Sequence, residues 1–194
     1  MRKNTQLKNI FCLEGLWDGN LNDQSTVLPA IELLSKHRGI RCIHSRCATK
    51  SELDFYLSKW SLKKYDDYPV LYLAFHGEKD SIRLMGEVIN LNYISDLLKG
   101  KCKGRVVIFG SCSTLDIDLR HLKRFLKTTG ALAIGGYKTD IDWVLSTAND
   151  LLLFEALQSN EFSERGIPVI KRKMMEVAKR FKELGFRMVT SSEI

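Results

Sequence analysis

Two stretches of this 194-residue chain each run apolar and then stop at a side chain that can take part in proton transfer. Pro69-Val-Leu-Tyr-Leu-Ala-Phe-His76-Gly77 ends in a histidine and a glycine. Gly104-Arg-Val-Val-Ile-Phe-Gly-Ser-Cys112-Ser-Thr-Leu115 ends in a cysteine among small residues. A thiol of ordinary pKa is mostly protonated at neutral pH, and a neighbouring imidazole favours the nucleophilic thiolate. His76 and Cys112 are therefore a candidate thiolate–imidazole pair, provided the fold brings them together. The competing reading is structural, because a free cysteine is often just a small buried hydrophobe.

The elements that would position the pair come next. Short apolar runs rich in β-branched residues read as strands buried on both faces. In open α/β sheets, chemistry gathers beyond the carboxyl ends of such strands. Residues 9–17, centred on Ile10-Phe11-Cys12-Leu13, read as a first central strand, closed by Asp18-Gly19-Asn20. A helix follows over 25–37 and a second strand over 40–44. Thr49 and Glu52 have the spacing of a capping box, so a helix opens there. Its Leu53, Tyr56, Leu57 and Trp60 line one face. Between His76 and Cys112 there is room for a turn or hairpin over 81–89 and a short helix over 91–98.

Beyond the cysteine, Leu115, Leu119, Leu122 and Leu126 predict one face of a helix ending near Thr128. A strand over 131–135 and a strongly apolar helix over 143–158 follow. After a polar break over 159–166, residues 168–184 read as one helix with a heptad-type seam of Ile170, Met174, Val177, Phe181 and Leu184. That seam suits either the sheet or another protein. Residues 186–190 read as an edge strand. Strands alternating with helices imply an α/β fold: a single doubly wound, mostly parallel sheet with helices on both faces, in one domain over 1–194.

Composition narrows the class. At 44% hydrophobic the chain can build a large core. No run approaches the roughly 18 apolar residues of a membrane span. The five cysteines, Cys12, Cys42, Cys47, Cys102 and Cys112, are odd in number and three lie in or beside strands. That pattern fits reduced thiols in the cytoplasm better than a disulfide framework, and the polar opening residues carry no secretory stretch. A net charge of +7 is spread over several helices and reads as a basic surface.

Strand-His-Gly followed by strand-x-Cys resembles the caspase-like cysteine peptidases, and within them the CHAT branch. Residues 105–115 are similar to that branch's Ser-Ala-Cys-x-Thr signature, with Gly110 and Ser111 in place of Ser-Ala. The run Thr129-Gly-Ala-Leu-Ala-Ile-Gly-Gly-Tyr137, leading to Asp142-Trp143, resembles the strand that follows the cysteine. The likeness spans residues 69–157. The caspase signature itself is Gln-Ala-Cys-x-Gly with its histidine about 50 residues upstream; here the separation is 36. The resemblance implies a caspase-like fold and a cysteine endopeptidase, with Cys112 as nucleophile and His76 as general base and acid. Gly77 and Cys112 would supply the N–H groups of an oxyanion hole, a contribution of roughly 3–4 kcal/mol per donor.

The same resemblance places the loop with Asp140, Asp142 and Trp143, and the loop with Glu14 and Asp18, beside the pocket for the residue preceding the scissile bond. Acidic groups there would favour Lys or Arg. Asp142 also stands where a helix N-cap would be. The implied partner is a protein substrate, controlled by a regulatory protein or a homo-oligomer, with the 170–184 seam as one surface. The alternative is a non-catalytic α/β interaction module.

Other constellations carry less. Cys42-x-His44-x-x-Cys47 offers three zinc-ligand types but no fourth, so no metal is assigned. No Gly-x-Gly-x-x-Gly or Walker loop is present, so no cofactor is expected. The basic clusters at 99–105 and 120–124 lack interleaved aromatics, so nucleic acid is not expected as a partner.

Overall fold

In the computed structural model, which describes residues 6–194, the apolar runs become strands with hardly an exposed residue. In chain order the strands are β1 (Ile10–Glu14), β2 (Cys42–Arg46), β3 (Val70–Ala74), β4 (His76–Glu78), β5 (Ser81–Leu84), β6 (Glu87–Asn90), β7 (Val106–Phe109), β8 (Ala133–Tyr137) and β9 (Phe186–Thr190). The helices are α1 (Leu28–Arg38), α2 (Lys50–Trp60), α3 (Leu91–Leu97), α4 (Leu119–Thr129), α5 (Trp143–Leu157) and α6 (Ile167–Ala178).

Six strands form one sheet in the order β2-β1-β3-β7-β8-β9, parallel throughout except for the edge strand β9. β1, β3, β7 and β8 are buried along their whole lengths, as strands covered on both faces must be. Alternation does the sorting. Phe11, Leu13, Leu71, Leu73, Val107 and Phe109 point into a layer completed by Leu53, Leu57 and Trp60 of α2, Ile94 of α3, and Leu122 and Phe125 of α4. Ile10, Cys12, Val70, Tyr72, Val106 and Ile108 point the other way, against Ile31 of α1, Leu153 and Phe154 of α5, and Ile170 and Met174 of α6. The doubly wound sheet expected from the alternation of elements is the one observed.

Local signals explain several boundaries. The Thr49 side chain accepts from the Glu52 N–H and the Glu52 carboxylate accepts from the Thr49 N–H, so both halves of the capping box start α2. α4 begins at Leu119 rather than Leu115, because Asp118 accepts from the Arg120 N–H at 2.7 Å and caps it there. Leu115 instead lies buried in the turn after Cys112. The last helix is shorter than its periodicity predicts. α6 stops at Ala178, and the 3-10 stretch Lys179–Leu184 breaks at Phe181 (φ −127°, ψ 46°). Ile170, Met174 and Leu184 are buried in the chain's own core. Of the two uses open to the seam, packing within the chain's own core is the one observed, with Val177 and Phe181 partly buried against the same layer.

A second correction concerns His76. It does not end β3; it opens β4, first strand of the antiparallel sheet β4-β5-β6. No helix among the described residues is long and apolar enough to cross a membrane.

One polar cluster sits within the second layer. The Tyr72 hydroxyl donates to buried Asp150 of α5 at 2.6 Å, and the Tyr137 hydroxyl donates to the other carboxylate oxygen. A Cβ on Gly110 would overlap the Tyr72 hydroxyl, so this cluster also shapes the start of the cysteine loop. Burial pushes the Asp150 carboxyl up from 3.8 to about 6, against the opposing pull of the two tyrosine hydroxyls. A carboxyl raised on folding favours the folded state when protonated, so its contribution is complete below pH 3.8 and lost as pH rises through about 6. Urea melts of wild type and Asp150→Asn should therefore diverge across that interval. The wild type should lose about 3 kcal/mol relative to the variant as pH rises.

Candidate active site

Parallel pairing of β3 with β7 sets Leu73 beside Phe109, and the ladder closes with the Gly110 N–H donating to the Leu73 carbonyl at 2.9 Å. Both strands thus leave the sheet at the same level. From β3 the chain passes through Phe75 into β4, and from β7 through Gly110 and Ser111 into the cysteine turn. The two exits touch. A Cβ on Gly77 would overlap the Cys112 carbonyl and the Thr114 hydroxyl, and would sit 2.8 Å from the Ser111 Cβ. Only a glycine lets β4 lie this close.

The turn is fastened on several sides. The Ser111 and Thr114 hydroxyls are 2.8 Å apart, and Thr114 donates to the Ser81 carbonyl of β5 at 3.0 Å. Ser113, at φ +50°, donates its N–H to the Thr139 carbonyl, and Leu115 donates to the Tyr137 carbonyl. From β9, the Arg187 guanidinium donates to the Leu115 and Ile117 carbonyls at 3.3 and 2.7 Å. Cys112 is half-buried, and its Sγ accepts the Ile141 N–H at 3.5 Å.

His76 is exposed, yet its ring is held. Nε2 lies 2.7 Å from the Trp17 carbonyl oxygen. A carbonyl only accepts, so this bond puts the proton on Nε2 and leaves Nδ1 with the free lone pair. The indole of Trp17 stands edge-on to the imidazole, with centroids 5.2 Å apart, and edge-on to Trp143 at 4.5 Å. Sequence reasoning had placed Trp17 only as the end of a strand. No residue pattern marks a main-chain carbonyl as a partner.

The other cysteines are quiet. Burial pushes the thiols of Cys42, Cys47 and Cys102 up to about 12 and that of Cys12 well above its ordinary value. Cys42 and Cys47 belong to opposite layers of the sheet, and His44 is taken by Glu14 at 2.6 Å.

The residues proposed for a substrate pocket are dispersed in role. Asp140 accepts from the Ser113 hydroxyl at 3.0 Å, beside the cysteine. Asp142 accepts the Leu145 N–H at 2.8 Å and caps α5. Asp18 accepts the Asn20 N–H within its own turn. Trp143 is 38% exposed on the rim. Glu14 has no exposed surface, so it is no pocket floor; that expectation is corrected. A cavity of about 310 Å³, lined in part by Lys8, Pro69, Gly104 and Phe162, lies at the opposite, amino-terminal end of the strands. The cysteine lies instead at the carboxyl end, where open α/β sheets do their chemistry.

A family model described as a family of unknown function (DUF6642) matches residues 7–189. No curated protein matches the chain. Among solved structures, the crystal structure of caspase-1 from Spodoptera frugiperda superposes with a TM-score of 0.59 and 11% sequence identity, over 96% of this chain and 88% of that one. At that identity the likeness is one of fold, and the architecture is caspase-like.

The tightness of the β4 contact is directly measurable. Gly77→Ala forces a carbon against main-chain oxygen and should cost about 1–3 kcal/mol in urea melts. A cost below a few tenths of a kcal/mol would mean that β4 stands clear of the turn.

Proposed function

The chain belongs to this family of unknown function (DUF6642), and we propose that it is a cysteine endopeptidase of the caspase-like superfamily, nearest in its motifs to the CHAT branch. The observation that carries the reading is the contact of Gly77 with the Cys112 turn, which seats a histidine strand on a cysteine loop at the carboxyl end of a parallel sheet.

In this reading His76 Nδ1 takes the Cys112 thiol proton, and Sγ attacks the carbonyl carbon of the scissile peptide bond. The resulting oxyanion accepts from the main-chain N–H groups of Gly77 and Cys112. The imidazolium then gives its proton to the departing amine, leaving a thioester on Cys112. A water deprotonated by His76 attacks that thioester and releases the acid, and the thiol is restored. No metal or cofactor enters the scheme.

Asp140, joined to Ser113 beside the cysteine, would supply the acidic side of a substrate pocket, with Asp18, Asp142 and Trp143 as its further candidate residues. Such a pocket suits a Lys or Arg side chain before the cleaved bond, through charge and cation–π contact. Control by a regulatory protein or by self-association, in a reducing cytoplasm, completes the proposal.

An electrophilic thiol probe tests the pair. Cys112 should label far faster than Cys12, Cys42, Cys47 or Cys102, and His76→Ala should slow it by about 10²-fold. Equal labelling of all five cysteines would instead support a non-catalytic interaction module. On a panel of fluorogenic peptides, Cys112→Ala should abolish cleavage, and the wild type should prefer Lys or Arg. Cleavage after Asp alone would overturn the basic preference.

A further inference from the structure

At the end of β1, where the chain leaves the sheet, a carboxylate is sealed from solvent although neighbouring β1 residues are apolar. Glu14 has none of its surface exposed. Its Oε1 accepts from the Trp17 indole N–H at 2.6 Å and the Val27 N–H at 2.7 Å. Its Oε2 accepts from the Thr26 hydroxyl at 2.7 Å and meets His44 Nε2 at 2.6 Å. Four donors on two oxygens fill the capacity of a carboxylate. Burial opposes its charge, but the bonds from His44, Trp17, Thr26 and Val27 outweigh it and hold the carboxyl below its ordinary value. Burying a carboxylate costs several kcal/mol before such bonds are counted, and an apolar side chain could have closed this layer. What the bonds do is hang both ends of the loop between β1 and α1 on one point, braced by β2.

Through a single residue that loop touches His76 directly and the segment beside Cys112 indirectly. The Trp17 carbonyl orients His76 through Nε2, and the Trp17 ring abuts the imidazole. On its other side the same ring packs on Trp143, two residues after the Ile141 N–H that meets the Cys112 sulfur. We infer that Glu14 is a positioning residue for the Cys112–His76 pair, acting through Trp17. The inference rests on the reading of Cys112 and His76 as a working pair. Glu14 touches neither the sulfur nor the imidazole. It fixes the indole, and the indole and its carbonyl fix the base.

Glu14→Gln keeps the shape but turns an NH2 toward two of the four donors. The test measures alkylation of Cys112 by iodoacetamide, with peptide mapping, at pH 7 and at about pH 9.5, where thiols ionise without help. At pH 7 the variant should react at least about fivefold more slowly than wild type, approaching the rate of His76→Ala. At the alkaline pH the two should agree within about twofold, because the thiol then needs no base. Loosening of the whole fold would instead raise labelling of Cys12, Cys47 and Cys102. Glu52→Gln, which strips a carboxylate from the α2 capping box, controls for general destabilisation and should leave the ratio of the two rates unchanged. If Glu14→Gln fails to fold, Trp17→Phe serves. It retains the main-chain carbonyl, loses the pinned N–H, and should lower the same ratio. Wild type equal to His76→Ala would overturn the pair and this inference with it. A wild type that depends on His76, with Glu14→Gln or Trp17→Phe keeping the wild-type ratio, would overturn the inference alone.

Discussion

The rung between the Gly110 N–H and the Leu73 carbonyl is the constraint on which the rest of the site depends. Parallel strands in fixed register end at a fixed relative height, so β3 and β7 deliver their downstream segments to the same point. A slip of one residue would invert every side chain of a strand between the two apolar layers. Burial of Leu71, Leu73, Val107 and Phe109 on one face, and of Val70, Tyr72, Val106 and Ile108 on the other, forbids that slip. The geometry around Cys112 is thus fixed by hydrophobic sorting many residues away from it. The glycines at 77 and 110 then permit approaches that any side chain would block.

Two buried carboxylates flank this centre, and they behave oppositely. Asp150 receives two tyrosine hydroxyls, too little to offset its burial, so it holds its proton more readily than usual. Glu14 receives an imidazole, an indole, a hydroxyl and a main-chain N–H, and these more than offset the same penalty. Burial alone therefore does not determine the charge of such a group; the number and kind of donors do. Asp150 braces the sheet against α5 as a carboxyl whose charge burial disfavours. Glu14 braces the loop after β1 as an anion.

Much of this was legible in the residues. Runs such as Val70–Ala74 and Val106–Phe109 are buried strands with nothing to confuse them, and the Thr49–Glu52 box starts its helix as its spacing says. That the histidine and cysteine segments would be neighbours rested on the resemblance, and the strands that lead into them, β3 and β7, do pair. What escaped reading were features without a periodic signature. Phe75-His76-Gly77 continues the apolar run of β3, so the switch to an antiparallel ribbon at β4 is invisible until β5 supplies its partner. The 170–184 seam kept helical spacing, but Phe181 departs from helical geometry where the chain bends toward Gly185 and β9. The resemblance sets the loop with Glu14 beside a pocket, whereas its carboxylate is fully buried. Its four donors come from positions 17, 26, 27 and 44, a convergence no local pattern announces.

The placing of β9 has a consequence for how the molecule matures. β8 is buried along its length, yet its outer neighbour follows only after α5 and α6. Such a distant pairing closes slowly, because the intervening loop entropy is lost before the contact is made. Arg187 of that late strand is the residue that clasps the Leu115 and Ile117 carbonyls just beyond the cysteine. A chain still assembling its edge therefore lacks the Arg187 clasp on the turn that follows Cys112, so that turn is completed only when the last strand docks.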